Sequence, residues 1–235
     1  MALAVRPAPG GGGAAAGLCD DLSVSTSRRV GRPRAQGRPE SGLSPREELL
    51  AAAAELFTTR GYTATTTRAL AERAGMRQAS MYHYVGGKED LLADLLEGTV
   101  TPSLRLARSL AADEGRPAGA RLWELCRSDA ELLCSGPHNL GALYLLPEVA
   151  APRFAGFHRA RAELKDAYAR LLAATAPCAG LAADALALRA DLLFALIEGL
   201  ILANRSSPDF TAAAADAALR IAGVPEADLP ALRTS

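Results

Sequence analysis

Lysine is almost missing from this chain: Lys88 and Lys165 stand against 24 arginines. A G+C-rich genome imposes that bias, so abundant arginine is not by itself a sign of function. Aromatic residues make up only 5%, and no run alternates in the manner of a half-buried strand. No apolar run reaches the ~18 residues of a membrane span. The opening residues, MALAVRPAPGGGG, lack the apolar centre of a signal peptide. The expectation is a cytoplasmic protein with no membrane partner. Cysteines 19, 126, 134 and 178 form no CxxC pair, so reduced thiols are expected and no metal site. The glycines at 10–13 are not followed by GK[ST], and no nucleophile–base motif occurs. Neither catalytic residues nor a cofactor is therefore expected, and the chain does not read as an enzyme.

What remains is a chain built for helices. Its 235 residues are 49% apolar, enough for one large or two modest domains with a real core. Alanine, the strongest helix former, is very abundant, and no internal repeat appears. The predicted fold class is all-α. Net charge is zero, but residues 22–88 hold 11 basic and 5 acidic side chains, and residues 89–235 hold 14 basic and 19 acidic. A basic segment ahead of an acidic one suits a protein of which one part alone meets a polyanion.

Residues 1–43 are rich in Gly, Ala, Pro, Ser and Arg without hydrophobic periodicity and are expected to form a disordered arm. Five of its arginines, 28, 29, 32, 34 and 38, cluster there. Gly31-Arg32-Pro33 resembles the core of an AT-hook, which lays Arg in a narrow minor groove. A basic tail held loosely by phosphates is the plainer, favoured reading. Ser44-Pro45-Arg46-Glu47 is a capping box with Pro at the first helical position. It opens a helix carrying Leu49, Leu50, Ala53, Leu56 and Phe57 at helical spacing, which Arg60-Gly61-Tyr62 ends. Residues 65–88, TTTRALAERAGMRQASMYHYVGGK, read as two short helices and a tight turn. Thr65 or Thr66 is the N-cap; Leu70, Ala71 and Ala74 face inward, and Gly75 is the left-handed stop. The second helix starts near Gln78, with Met81 and Val85 inward and Ala79, Ser80, Tyr82 and His83 outward. Such a short helix with such an outer face fits the second helix of a helix-turn-helix. A fourth helix is expected from Lys88 to about Ala111, kinked or broken at Pro102.

On these residues, ELFTTRGYTATT followed by RALAERAG, MRQASMYHYV and GGKEDLL, the chain resembles the DNA-binding head of the TetR (tetracycline-repressor-like) regulators. Met81 stands for the usual Leu and Val85 for the usual Phe. The resemblance implies a three-helix head over residues 44–92, a ligand-binding and dimerisation domain over 93–223, and a tail at 224–235. It implies that Thr67, Arg68, Gln78, Ser80, Tyr82, His83 and Lys88 face DNA. Arg68 and Gln78 would read base edges, and Thr67 and Lys88 would hold the phosphate backbone. The plainer reading for arginines 68, 73 and 77 is a solvated helix face, and for Tyr82 a partly packed ring.

The rest of the chain reads as helices over residues 118–134, 138–146, 153–175, 181–204 and 211–221. Trp123, His138, Asn139, Tyr144, Phe154, His158 and Phe194 are candidates to line a pocket for a small apolar or aromatic ligand. Each alone reads more simply as a satisfied structural residue. The segment 181–204 is apolar nearly all round and needs cover on every side. Leu193, Ile197, Leu200 and Ile201 are therefore expected at a homodimer interface, shared with 211–221. Asp191 and Glu198 are expected to pair with Arg189 or Arg205. The function expected is a ligand-released repressor on a palindromic double-stranded operator. A ligand-independent regulator, and a helical carrier or enzyme with a vestigial head, are the alternatives.

Overall fold

The computed structural model of the chain describes residues 42–134, 136–203 and 207–234. All regular structure among them is helical. The arm through residue 41, with Gly31-Arg32-Pro33 and Cys19, lies outside the described residues, as does Arg205.

Helix α1 (Pro45–Thr59) opens with the capping box: Glu47 N–H donates to Ser44 Oγ at 3.4 Å, and Ser44 N–H donates to Glu47 Oε2 at 2.7 Å. Leu49, Leu56 and Phe57 bury its inner side, and Leu50 is partly covered. Helix α2 (Thr67–Arg73) is capped by Thr66, whose Oγ1 accepts from Ala69 N–H at 3.1 Å. Thr65 has a different job. It is buried and donates to Gly61 O at 2.8 Å, closing the turn behind α1. Gly75 then adopts φ +72°, which a side chain would resist, and α3 (Gln78–Met81) follows as a single turn. Met81 and Val85 point into one core with Leu49, Leu70 and Leu91.

Helix α4 (Lys88–Ala112) begins where Gly86 N–H donates to Asp90 Oδ2 at 2.7 Å. Of the kink or break expected at Pro102, the break does not occur: the helix is continuous through the proline. Thr99, Val100, Ser103 and Leu104 are buried on both sides of the proline, and packing on two later helices outweighs one lost hydrogen bond. The boundary expected at residues 92/93 therefore falls inside one continuous helix.

Among the described residues, four longer α-helices and a short one follow: α5 (Ala118–Cys134), α6 (Ala155–Ala173), α7 (Ala183–Gly199), α8 (Pro208–Ile221) and α9 (Leu229–Arg233). α4 packs on α6 and α5, and α5 packs on α8. Between α5 and α6 the chain makes 3-10 turns at Leu140–Leu145, Pro147–Ala150 and Pro152–Phe154. Gly141 is fixed by crowding, since a Cβ there would lie 2.1 Å from Ile201 Cγ2. The expected tail is not loose: Val224 and Leu229 are buried, and Leu232 covers Gly119. Its apolar residues are too few to register as a periodic pattern.

One expectation is overturned. Leu193 and Ile197 are 0% exposed, and Leu200 and Ile201 are nearly as covered, all within the single chain. They are core, because α7 turns that side toward α5 and α6. The uncovered side of α7 carries Leu188 and Leu192, 60% and 52% exposed, and Leu202 beyond it is 72% exposed. No helix among the described residues is long and apolar enough to cross a membrane.

Candidate functional site

Helices α2 and α3 lock together through Leu70 and Met81, both fully buried. That packing sets the outer side chains at fixed distances. Gln78 Nε2 donates to Thr67 Oγ1 at 2.9 Å, and Tyr82 OH lies 3.5 Å from the same oxygen. Thr67, Gln78 and Tyr82 thus converge on one surface, with Tyr82 half-exposed. His83 and Tyr84 are exposed beside it and Ser80 is partly so. Arg68, next along α2, pairs with Glu72 at 2.8 Å. Both are largely exposed, so a phosphate or base edge can displace that pair cheaply.

Lys88 stands apart from this surface. Its Nζ donates to Tyr62 O at 3.1 Å and Thr65 O at 3.3 Å, and sits 4.3 Å from the centre of the Tyr62 ring. Lys88 thus pins the turn between α1 and α2. An ammonium has three donors, and two are spent inside the head. Burial, with Glu89 next, pushes the Tyr62 phenol up to about 12. That ring meets Phe57 edge-on at 5.0 Å.

The expected pocket residues fall into separate sets. Trp123 Nε1 donates to Asp216 Oδ1 at 2.9 Å, an oxygen that Arg233 also reaches at 3.1 Å. Trp123 edges an open groove of about 530 Å³ with Glu124, Arg127 and Leu232. Asn139 donates to Ile201 O at 2.6 Å and accepts from Ala142 N–H at 3.3 Å. Tyr144 bonds Thr99 Oγ1 and lies 4.9 Å from Phe157. His158 Nε2 is 2.8 Å from Val149 O. Phe194 meets Tyr168 at 5.6 Å, Phe154 is buried, and His138 is half-buried. Glu198 pairs with Arg161 and Asp191 with Lys165. Arg189 instead donates to Ala222 O at 2.9 Å, at the end of α8.

Sequence reasoning passed over the most buried carboxyl group among the described residues. Asp129 is 2% exposed; its Oδ1 accepts from Ser103 at 2.7 Å and its Oδ2 from Tyr168 at 2.9 Å. Burial pushes its carboxyl up to about 6, and the two hydrogen bonds oppose that shift. The signal was present, since Asp129 follows Leu122, Leu125 and Cys126 by seven, four and three positions on the buried stripe of α5. Between head and body, Thr63 Oγ1 donates to Glu148 Oε1 at 2.9 Å, Arg46 pairs with Asp94 at 2.6 Å, and Arg153 pairs with Asp90. No cluster of three or more potential metal ligands occurs among the described residues.

Residues 49–95 match the family model described as bacterial regulatory proteins, tetR family. AmtR of Mycobacterium smegmatis has a solved structure 44% identical to this chain, with a TM-score of 0.72 over 86% of this chain and 96% of that one. PfmR of Thermus thermophilus, a TetR family transcriptional regulator, shares the fold at 19% identity and a TM-score of 0.65, covering 76% of this chain and 97% of that one. The HTH-type transcriptional repressor KstR2 of Rhodococcus jostii is 35% identical over 105 residues, 44% of this chain and 50% of that protein. The chain spans half or less of the length of the curated relatives it matches.

Proposed function

Because the chain belongs to the tetR family of bacterial regulatory proteins, we propose that it is a transcriptional repressor binding a near-palindromic double-stranded operator as a homodimer. The observation that carries this reading is the convergence of Thr67, Gln78 and Tyr82 on the outer surface of the packed helix-turn-helix. Gln78 and Arg68 read base edges, Thr67 and Ser80 hold phosphates, and Tyr82 and His83 flank them. The dimer forms through the outward faces of α7 and α8. Ala185, Leu188, Leu192, Ala195 and Gly199 make an apolar stripe on the exposed side of α7 at alternating three- and four-residue spacing. On α8, Ala213 is exposed and Ala217 and Ile221 are partly so.

A small apolar or aromatic ligand in the body, bound better by the DNA-incompetent state, releases the operator. The contacts of Glu148 and Arg153 with the head give such a change a route to the helix-turn-helix. One observation favours a second reading, a regulator with no ligand. Asn139, Tyr144 and His158 already have protein partners, so a ligand must replace hydrogen bonds rather than supply missing ones. A mobility-shift titration on the DNA upstream of the protein's own gene tests the reading. Expected is a retarded band with two protomers per duplex and half-site centres ~34–36 Å apart. No retardation at low salt would leave the carrier or enzyme alternative standing.

A further inference from the structure

The contact between Thr67 and Gln78 has a consequence for which base the head reads, and it rests on the operator-binding reading above. A threonine hydroxyl offers two lone pairs and one proton. In the free protein Gln78 Nε2 donates to Thr67 Oγ1 at 2.9 Å, and Tyr82 OH stands 3.5 Å away from the same atom. With its oxygen serving as acceptor, Thr67 has its proton left to give. A phosphate oxygen can only accept, so a DNA backbone takes that proton and keeps Thr67 Oγ1 an acceptor. Gln78 must then hold an N–H toward Thr67. The amide cannot flip, because a flipped amide would set its carbonyl oxygen against an oxygen with no proton to offer.

We propose that Thr67 is a specificity-determining positioning residue: gripped by phosphate, it fixes the Gln78 amide so that the head selects adenine. The carboxamide has two N–H bonds. The one pointing away from Oε1 goes to Thr67, and Oε1 with the other N–H forms a paired acceptor and donor. That pair is complementary to N6–H and N7 of adenine in the major groove. A flipped amide would carry the acceptor and the donor in exchanged places, and the pair would no longer match N6–H and N7 of adenine. Backbone grip and base choice are thus one linked arrangement across α2 and α3, whose separation Leu70 and Met81 set.

The test begins with selection of a randomised duplex library on the full-length protein. The best duplex and its single-base-pair variants are then titrated by fluorescence anisotropy at fixed salt. Wild type is expected to prefer A·T over G·C by roughly tenfold or more at one symmetric pair of positions, and Gln78→Ala to lose that preference. Thr67→Val should lose most of it at the same positions, Thr67→Ser should retain it, and Thr67→Val with Gln78→Ala should be no less selective than Gln78→Ala. Melting temperatures should match wild type, since neither side chain is in the core. If Thr67→Val weakens every duplex by one common factor with the preference intact, Thr67 is a phosphate contact alone and the inference fails. A guanine preference at the position that depends on Gln78 would also overturn it. Enrichment of no duplex by wild type would bring down the operator-binding reading itself, and this inference with it.

Discussion

Asp129 is a carboxyl group that the body holds out of water with two neutral donors, Ser103 and Tyr168. Its folded value of about 6 lies above the ordinary 3.8, so the folded state holds its proton to higher pH than the unfolded state does. The associated stability is full below about pH 4, is lost as pH rises through about 6, and changes no further above that. Asp129→Asn removes the ionisation, and its Nδ2 can donate to the Tyr168 oxygen. Relative to wild type, the variant should gain up to about 3 kcal/mol between pH 4 and pH 7, read from urea unfolding at both values. A gap that is the same at both would mean that Asp129 is not buried as described. Lys88 gives a second prediction. Lys88→Met should cost about 1.5–3 kcal/mol of stability through its two carbonyl bonds and weaken all duplexes alike, whereas Arg68→Ala should leave the melting temperature unchanged. Individual residues were legible in the sequence where local spacing decides them, as with Gly75 and Met81, while the cap of α2 was narrowed only to Thr65 or Thr66. The bonds of Lys88 to the carbonyls of Tyr62 and Thr65 were not legible, because those partners lie in a distant turn that no pattern of side chains encodes.

Among the elements, α7 shows how far hydrophobic patterning reaches and where it stops. The sequence identifies a helix apolar nearly all round, and the structure forms it over Ala183–Gly199 with Asp191 and Glu198 paired to Lys165 and Arg161. Periodicity alone cannot tell which apolar side meets the protomer's own core and which meets another molecule. Leu193 and Ile197 share the core with Tyr168, Phe194 and Leu172, while Leu188 and Leu192 are uncovered. Two substitutions of the same kind therefore predict different outcomes. Leu192→Asp should yield a folded monomer, because a charge there disrupts only the face proposed to lie between subunits. Ile197→Asp should unfold or aggregate the chain, because it places an unpaired charge in the protomer core, at a cost of several kcal/mol. Light scattering with circular dichroism separates the two, and a folded monomer from Ile197→Asp would reverse the assignment. The 3-10 turns between α5 and α6 were only partly foreseen. Pro147 and Pro152 signal breaks, but the seating of Gly141 on Ile201 joins residues sixty positions apart.

At the scale of the whole molecule the head was far more legible than the body. A helix-turn-helix is built from neighbours in sequence, so capping, spacing and turn chemistry specify nearly all of it. The body depends on contacts such as Trp123 with Asp216 and Ser103 with Asp129, which link positions far apart along the chain. Charge is the property of the whole that sequence reports directly, and the last prediction rests on it. Of the 11 basic side chains in residues 22–88, five are the arginines at 28, 29, 32, 34 and 38. The buried core among the described residues runs from Leu49 to Leu229. Removing residues 1–38 should therefore leave the melting temperature of the protein unchanged. Operator binding should weaken, and its dependence on salt should become shallower, because fewer condensed counterions are released. If those arginines enter a narrow minor groove, the loss will be greater on operators flanked by A·T runs than on G·C-flanked ones. An equal loss on both would assign the arm to phosphates alone. An unchanged salt slope would mean that the arm does not touch DNA at all, and that Arg68, Arg73 and Arg77 on α2 and the turn after it carry the electrostatic attraction by themselves.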